Sequence, residues 1–205
     1  MQQIYKINTE KLEEPEVFSS FYEKVSNKRK QKIDSYRMKK DKLLSLGAGV
    51  LIDRGLKAFG LCEANIRIAE GDYGKPYFPD YPEIHFSISH SEKMVIAVFA
   101  DTEVGCDIEY MVSADLEIAE RFFCRAEYEF IMRHKKQDRK EAFYRIWTLK
   151  ESFMKAVGSG LMLPMNEFCI RIEGDIKVEQ YYNNKEYGMR DWKDGEYHAA
   201  LCWTK

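Results

Sequence analysis

No stretch of this 205-residue chain approaches the ~18 consecutive apolar residues needed to cross a bilayer, although 45% of it is hydrophobic. The start, Met1-Gln2-Gln3-Ile4-Tyr5, lacks the basic region and apolar core of a secretory signal. Together these absences predict a cytoplasmic protein with no membrane association. There is no Cys-x-x-Cys pair: Cys62, Cys106, Cys124, Cys169 and Cys202 are odd in number, widely spaced and set mostly among apolar neighbours. They read as reduced core thiols. Charge of one sign is also missing, since 32 basic residues face 34 acidic ones, and that balance argues against a general nucleic-acid binder. Low-complexity segments and short repeats are absent.

What is present can fill one large or two small cores. Periodicity predicts a strand at residues 3–8, helices at 14–25 and 27–59, a short strand at 66–69 and another at 84–89. In that last strand Ile84, Phe86 and Ile88 face one way and His85, Ser87 and Ser89 the other, with His90 at its end. Residues 94–100 are apolar throughout and read as a central strand. The second half offers a strand around Asp107, helices at 114–123, 125–134 and 140–157, and strands at 168–173, 176–182 and 197–203. Gly158-Ser159-Gly160 reads as the cap of the long helix. Helices followed by strands occur in each half, so the expected class is α+β, with two similar lobes joined near residues 101–104.

Two segments about 40 residues apart concentrate carboxylates in apolar surroundings: Val104-Gly105-Cys106-Asp107-Ile108-Glu109 and Trp147-Thr148-Leu149-Lys150-Glu151-Ser152-Phe153-Met154-Lys155. In an extended segment Asp107 and Glu109 share a face, about 7 Å apart at the backbone, while Cys106 and Ile108 point into the core. Carboxylate oxygens suit a hard ion such as magnesium, which takes one or two carboxylates together with waters and phosphate oxygens. On the helix, Tyr144, Thr148, Glu151 and Lys155 form one stripe. Glu151 and Lys155 read either as an exposed i,i+4 pair or as a metal ligand beside a phosphate-binding ammonium. Lys150 falls inside the apolar arc and requires a path to water or a buried carboxylate partner. Upstream, Lys75 lies between Gly74 and Pro76 in a turn that presents it outward. Lys28-Arg29-Lys30-Gln31-Lys32 with Arg37, Lys39, Lys40 and Lys42 makes a basic run.

These residues resemble the surfactin-synthetase-activating type of 4′-phosphopantetheinyl transferase, whose signature is a Gly-x-Asp-x-Glu strand followed by a Trp-x-x-Lys-Glu helix. Here they are Gly105-Cys106-Asp107-Ile108-Glu109 and Trp147-Thr148-Leu149-Lys150-Glu151. Tyr73-Gly74-Lys75-Pro76-Tyr77 and Phe86-Ser87-Ile88-Ser89-His90-Ser91 agree as well, in the family's order, along almost the whole chain. The resemblance implies two pseudo-symmetric α/β lobes, 1–102 and 103–205, with coenzyme A in the cleft between them. It implies transfer of the phosphopantetheine arm of coenzyme A to a serine of an apo acyl or peptidyl carrier protein, releasing adenosine 3′,5′-bisphosphate.

By the same resemblance Asp107, Glu109 and Glu151 bind magnesium, and Glu151, or a water it orients, is the base for the carrier serine. Lys155 adds positive charge at the pyrophosphate. Lys28, Lys75, Pro76, Ser89 and His90 contact the coenzyme, with Ser89 and His90 at its 3′-phosphate. A second basic residue expected three positions after Lys28 is Gln31 here, and Lys32 and Lys42 are the candidates to replace it. Residues 113–134 receive the carrier, with Phe122, Phe123 and Ile131 as apolar contacts, or core, and Arg121, Arg125 and Arg133 for its acidic face. A chain with both lobes is expected to be a monomer. Two other readings use the same residues: a magnesium-dependent enzyme cleaving another phosphoester, and a non-catalytic coenzyme A-binding module.

Overall fold

The computed structural model describes residues 2–205. Strand β1 (Gln3–Asn8) leads into helices α1 (Pro15–Tyr22), α2 (Asn27–Ser35) and α3 (Lys39–Leu56), then strands β2 (Ala69–Glu70), β3 (Pro76–Tyr77), β4 (His85–Ser91) and β5 (Met94–Ala100). The second half runs β6 (Val104–Tyr110), α4 (Leu116–Phe122), α5 (Arg125–Arg133), α6 (Arg139–Val157), β7 (Phe168–Arg171), β8 (Lys177–Gln180), β9 (Tyr187–Asp194) and β10 (Tyr197–Thr204). No helix among the described residues is long and apolar enough to cross a membrane.

The halves repeat one plan. A strand, a long helix, a two-stranded hairpin and a closing β-hairpin give sheet order β1-β5-β4 in the first and β6-β10-β9 in the second, all neighbours antiparallel. Helix α3 buries Leu44, Leu51 and Ile52 against Val95, Ala97 and Phe99 of β5. Helix α6 buries Phe143, Leu149 and Phe153 against Ala200 and Cys202 of β10. The opposite faces of the sheets meet in a third cluster of Ile96, Val98, Cys106, Ile108 and Leu201. The layers therefore run helix, sheet, sheet, helix, and β5 is apolar at every position because both its faces are covered.

The structure corrects the sequence reading in several places. The expected helix over 27–59 is two, separated at Tyr36–Met38, with both Tyr36 and Met38 extended. Between Ile33 and Leu43 a continuous helix would have no apolar face to bury, and Met38 is exposed; the break lets α2 fold back beside α3. Strand β9 was missed, because its sequence YGMRDWKD carries four charges among eight residues. Phe123 and Ile131 are core, leaving Phe122 as the exposed aromatic of that region. Cys124 and Cys169 are joined as a disulfide, leaving Cys62, Cys106 and Cys202 as thiols. Sequence separation of 45 residues hid that pairing, which depends on α5 and β7 lying side by side.

Candidate active site at the seam between the lobes

Gly105 decides how the carboxylates are presented. A Cβ there would lie 2.1 Å from the Ser152 carbonyl and 2.2 Å from the Ala156 nitrogen, so only glycine lets α6 lie directly across β6. That contact brings Asp107 and Glu109 on the strand beside Glu151 and Lys155 on the helix. The helix ends just beyond them, at Gly158 with φ 78° in the left-handed region, the expected cap.

From the first lobe, β4 runs along β6 and joins it through alternate serines. Ser87 Oγ accepts from the Cys106 amide at 3.1 Å, Ser89 Oγ donates to Asp107 Oδ1 at 2.8 Å, and Ser91 Oγ donates to Glu109 Oε2 at 2.8 Å while accepting from the Tyr110 amide at 3.0 Å. Lys155 Nζ donates to Asp107 Oδ1 at 2.6 Å and to Ser89 Oγ at 2.8 Å. Successive strand residues face opposite ways. Ser89 is thus buried in the seam, whereas His90 is exposed on the other side of β4, within electrostatic reach of Lys155 and Lys32. Partial loss of hydration around the ring, then the charge of Lys155, lowers the His90 imidazole below its usual range.

The carboxylates outnumber the positive charge set among them, which is Lys155 alone on Asp107. Asp107 is 2% exposed and its Oδ2 is buried without a hydrogen-bond partner. Burial, and then the charge of Asp107, pushes Glu109 up to about 7; the same two causes raise Glu151. Burial pulls the Lys155 ammonium down, but Asp107 and its neighbours outweigh it and hold it above the lysine range. Three carboxylates served by one ammonium, with an orphaned buried oxygen, fit a divalent cation bound by hard oxygen donors. Their oxygens stand open rather than closed on a point. Among the described residues the one set of three potential ligands within 4.8 Å is Cys124, Glu127 and Cys169, and there the sulfurs are bonded to each other.

Lys150 has the buried partner its position demanded. With no exposure, its Nζ meets Glu127 Oε1 at 2.6 Å and the Phe168 carbonyl at 2.8 Å, 4.1 Å from the Phe168 ring centroid. Burial lowers Lys150 to about 8 and raises Glu127. This pair ties α5, α6 and β7 together, away from the seam carboxylates.

Two adjoining clefts flank the seam. One, of about 700 Å³, lies in the first lobe and is lined by Lys28, Arg29, Lys32, Gly74, Pro76 and Ile88 among others. The second, of about 210 Å³, lies between the lobes and shares Gly74, Pro76 and Ile88, adding Lys75 and Lys155. The α2 end that carries Lys28 and Arg29 is fixed by buried Glu63, which accepts from the Ser26 amide, the Ser26 hydroxyl and Arg29; nothing in the sequence flagged Glu63. Lys28 itself donates to the Ile68 carbonyl at 3.2 Å. Lys75, expected to point outward, instead reaches across the lobes to the Ala156 carbonyl at 2.7 Å, and burial lowers it to about 8. The final turn of α6 supplies unpaired carbonyls and negative dipole charge that attract it. The serine alternation of β4 was legible in Ser87-Ile88-Ser89-His90-Ser91, but its role as the seam was not.

Half of the chain is similar in structure to holo-[acyl-carrier-protein] synthase of Thermotoga maritima, with TM-score 0.44 and 21% identity, covering 51% of this chain and 63% of that one. The model of the 4′-phosphopantetheinyl transferase superfamily matches residues 103–202, the part that contributes Asp107, Glu109, Glu151 and Lys155. Similarity to whole proteins extends through the first lobe as well. The chain is 34% identical to the 4′-phosphopantetheinyl transferase Sfp of Bacillus subtilis (strain 168) over 194 residues, 93% of this chain and 85% of that one. It is 36% identical to the Bacillus subtilis 4′-phosphopantetheinyl transferase ffp over 182 residues, 87% and 81% of the two chains. With both lobes covered at this identity, the chain belongs to the 4′-phosphopantetheinyl transferase family.

Proposed function

We propose that this enzyme transfers the 4′-phosphopantetheine arm of coenzyme A to a serine hydroxyl of an apo acyl or peptidyl carrier protein. The observation that carries this reading is the cation-deficient carboxylate group at the seam, set beside a basic cleft. In the reaction the serine oxygen forms a bond to the pantetheine-side phosphorus, the pyrophosphate P–O bond breaks, and adenosine 3′,5′-bisphosphate leaves. The serine proton passes to Glu151 or to a water it orients; its carboxyl, already raised by burial and Asp107, is suited to accept it. Asp107, Glu109 and Glu151 would hold magnesium, which supplies charge stabilisation for the breaking pyrophosphate. Lys155, anchored on Asp107 and Ser89, adds a fixed positive charge on the same side.

Lys28 and Lys32, which line the larger cleft, would meet coenzyme phosphates there, with His90 on the same side of β4 and Pro76 at the rim. Lys75 joins them by exchanging the Ala156 carbonyl for a phosphate oxygen. Gln31 leaves one basic position unfilled. Ser89 serves through Lys155 and Asp107, and a 3′-phosphate contact from it would have to come from within the seam. The lobes divide at 102/103, the first contributing coenzyme contacts and the second metal ligands and the carrier-facing surface around Phe122. A chain with both lobes completes one site by itself, so a monomer in the cytoplasm suffices.

Intact-mass spectrometry of apo acyl and peptidyl carrier proteins, incubated with the protein, coenzyme A and magnesium, tests this. One phosphopantetheine should be added, the gain abolished by chelator and slowed roughly 10²–10⁴-fold in Glu151→Gln. Coenzyme A binding without any mass gain would favour a binding module and sink the transferase reading.

A further inference from the structure

Between α6, β9 and β10, four polar side chains form a continuous chain inside the second lobe. Arg145 donates from Nε to Asp191 Oδ2 at 2.8 Å and from Nη2 to Asp191 Oδ1 at 3.2 Å. Asp191 Oδ2 lies 3.3 Å from His198 Nε2, and His198 Nδ1 lies 3.0 Å from Thr148 Oγ1. The Thr148 hydroxyl also meets the Tyr144 carbonyl at 2.9 Å. Thr148 is fully buried and His198 is 3% exposed. Burying an imidazole and a hydroxyl costs free energy that an apolar pair of the same size would not, so the geometry they impose is what distinguishes them from ordinary core.

Their positions connect them to the seam. Thr148 precedes Glu151 by three residues on α6, one turn away on the same side of the helix. His198 stands directly opposite Glu109 in the β6–β10 ladder, where facing Cβ atoms lie about 4.5–5.5 Å apart. The Thr148–His198 hydrogen bond therefore joins the turn carrying one seam carboxylate to the residue beside another. Asp191 and Arg145 set the imidazole plane from behind.

We propose that Thr148 and His198 are positioning residues, whose hydrogen bond fixes the separation of Glu151 from Glu109 and thereby how tightly the carboxylates hold a divalent cation. This rests on the metal role assigned above to those carboxylates. The pair touches no substrate; it acts through the ligands.

Electron paramagnetic resonance of Mn²⁺, with coenzyme A present, reads the site without catalysis, and circular dichroism checks the fold of every variant. Thr148→Val removes the hydroxyl and Thr148→Ser keeps it. His198→Asn keeps a polar atom where Nδ1 meets Thr148, whereas His198→Gln keeps the one that meets Asp191. Thr148→Val and His198→Gln should weaken Mn²⁺ binding at least about tenfold, in the range for residues that orient metal ligands, while Thr148→Ser and His198→Asn stay near the parent. Parent-like binding in Thr148→Val and His198→Gln would overturn the proposal, and so would equal weakening in all four folded variants, which would reduce the pair to packing. If Thr148→Val does not fold, the His198 pair alone decides. A parent that binds no Mn²⁺, or binds it unchanged in Glu151→Gln, would bring down the carboxylate reading itself.

Discussion

At Glu109 burial and the charge of Asp107 act in the same direction, and together they lift its carboxyl from the ordinary 4.5 to about 7. Between those values the metal-free native state holds a proton that the unfolded chain has lost. This group's contribution to stability therefore falls as pH rises through that window and is lowest above about 7. A cation competes with that proton, so the effect of metal should follow the same window. Magnesium is expected to raise the thermal midpoint of chelator-treated protein more at pH 7.5 than at pH 5.5, and Glu109→Gln should flatten the difference. A magnesium gain independent of pH would count against Glu109 as a ligand. Such coupling was half legible: alternation placed Asp107 and Glu109 on one face, but the depth that shifts Glu109 comes from α6 and β4 lying over it. Lys150 is the complementary case. Its position inside an apolar arc demanded a partner, while nothing local marked Glu127, 23 residues earlier, as that partner.

Among the elements, the crossing of α6 on β6 matters most, and it depends on one missing side chain. Gly105→Ala would place a methyl 2.1 Å from the Ser152 carbonyl, and backbone cannot yield as a flexible side chain can. The helix would have to retreat, taking Glu151 and Lys155 with it. The expected cost is about 3 kcal/mol or more, at the upper end for overpacked cores, read from urea unfolding, together with loss of transfer activity in the fraction that stays folded. A parent-like midpoint would show that α6 does not depend on this contact. The element pattern was readable wherever one face is buried: β1, β5 and α6 follow their sequence periods closely. It was unreadable where charge masks alternation, as in β9, or where charge-rich sequence hides a break, as between α2 and α3.

For the whole molecule the decisive surface is the one between the lobes, where Ile96, Val98, Cys106, Ile108 and Leu201 pack sheet on sheet and the β4 serines take up polar groups along β6. Ser87→Ala would leave the buried Cys106 amide without its acceptor, at a cost of about 1–3 kcal/mol. Because the lobes share an apolar layer, the loss should appear as a lower urea midpoint in a single transition seen equally by fluorescence and circular dichroism. Two separated transitions would show that the lobes fold independently and that the seam does not couple them.

Local pattern by itself determined most of the strands and helices, the doubled α+β plan, the shared face of Asp107 and Glu109, and the motifs that mark the family. These are encoded in spacings of two to four residues, which steric period and hydrophobic burial translate directly into geometry. Only the tertiary structure decided that Lys75 turns inward to α6, that Cys124 meets Cys169, that Glu127 neutralises Lys150, and that Thr148 reaches His198. Each of those contacts joins residues tens of positions apart through the packing of separate elements. Their chemistry is fixed by which surfaces close on one another, a property of the assembled layers that no short stretch of sequence contains.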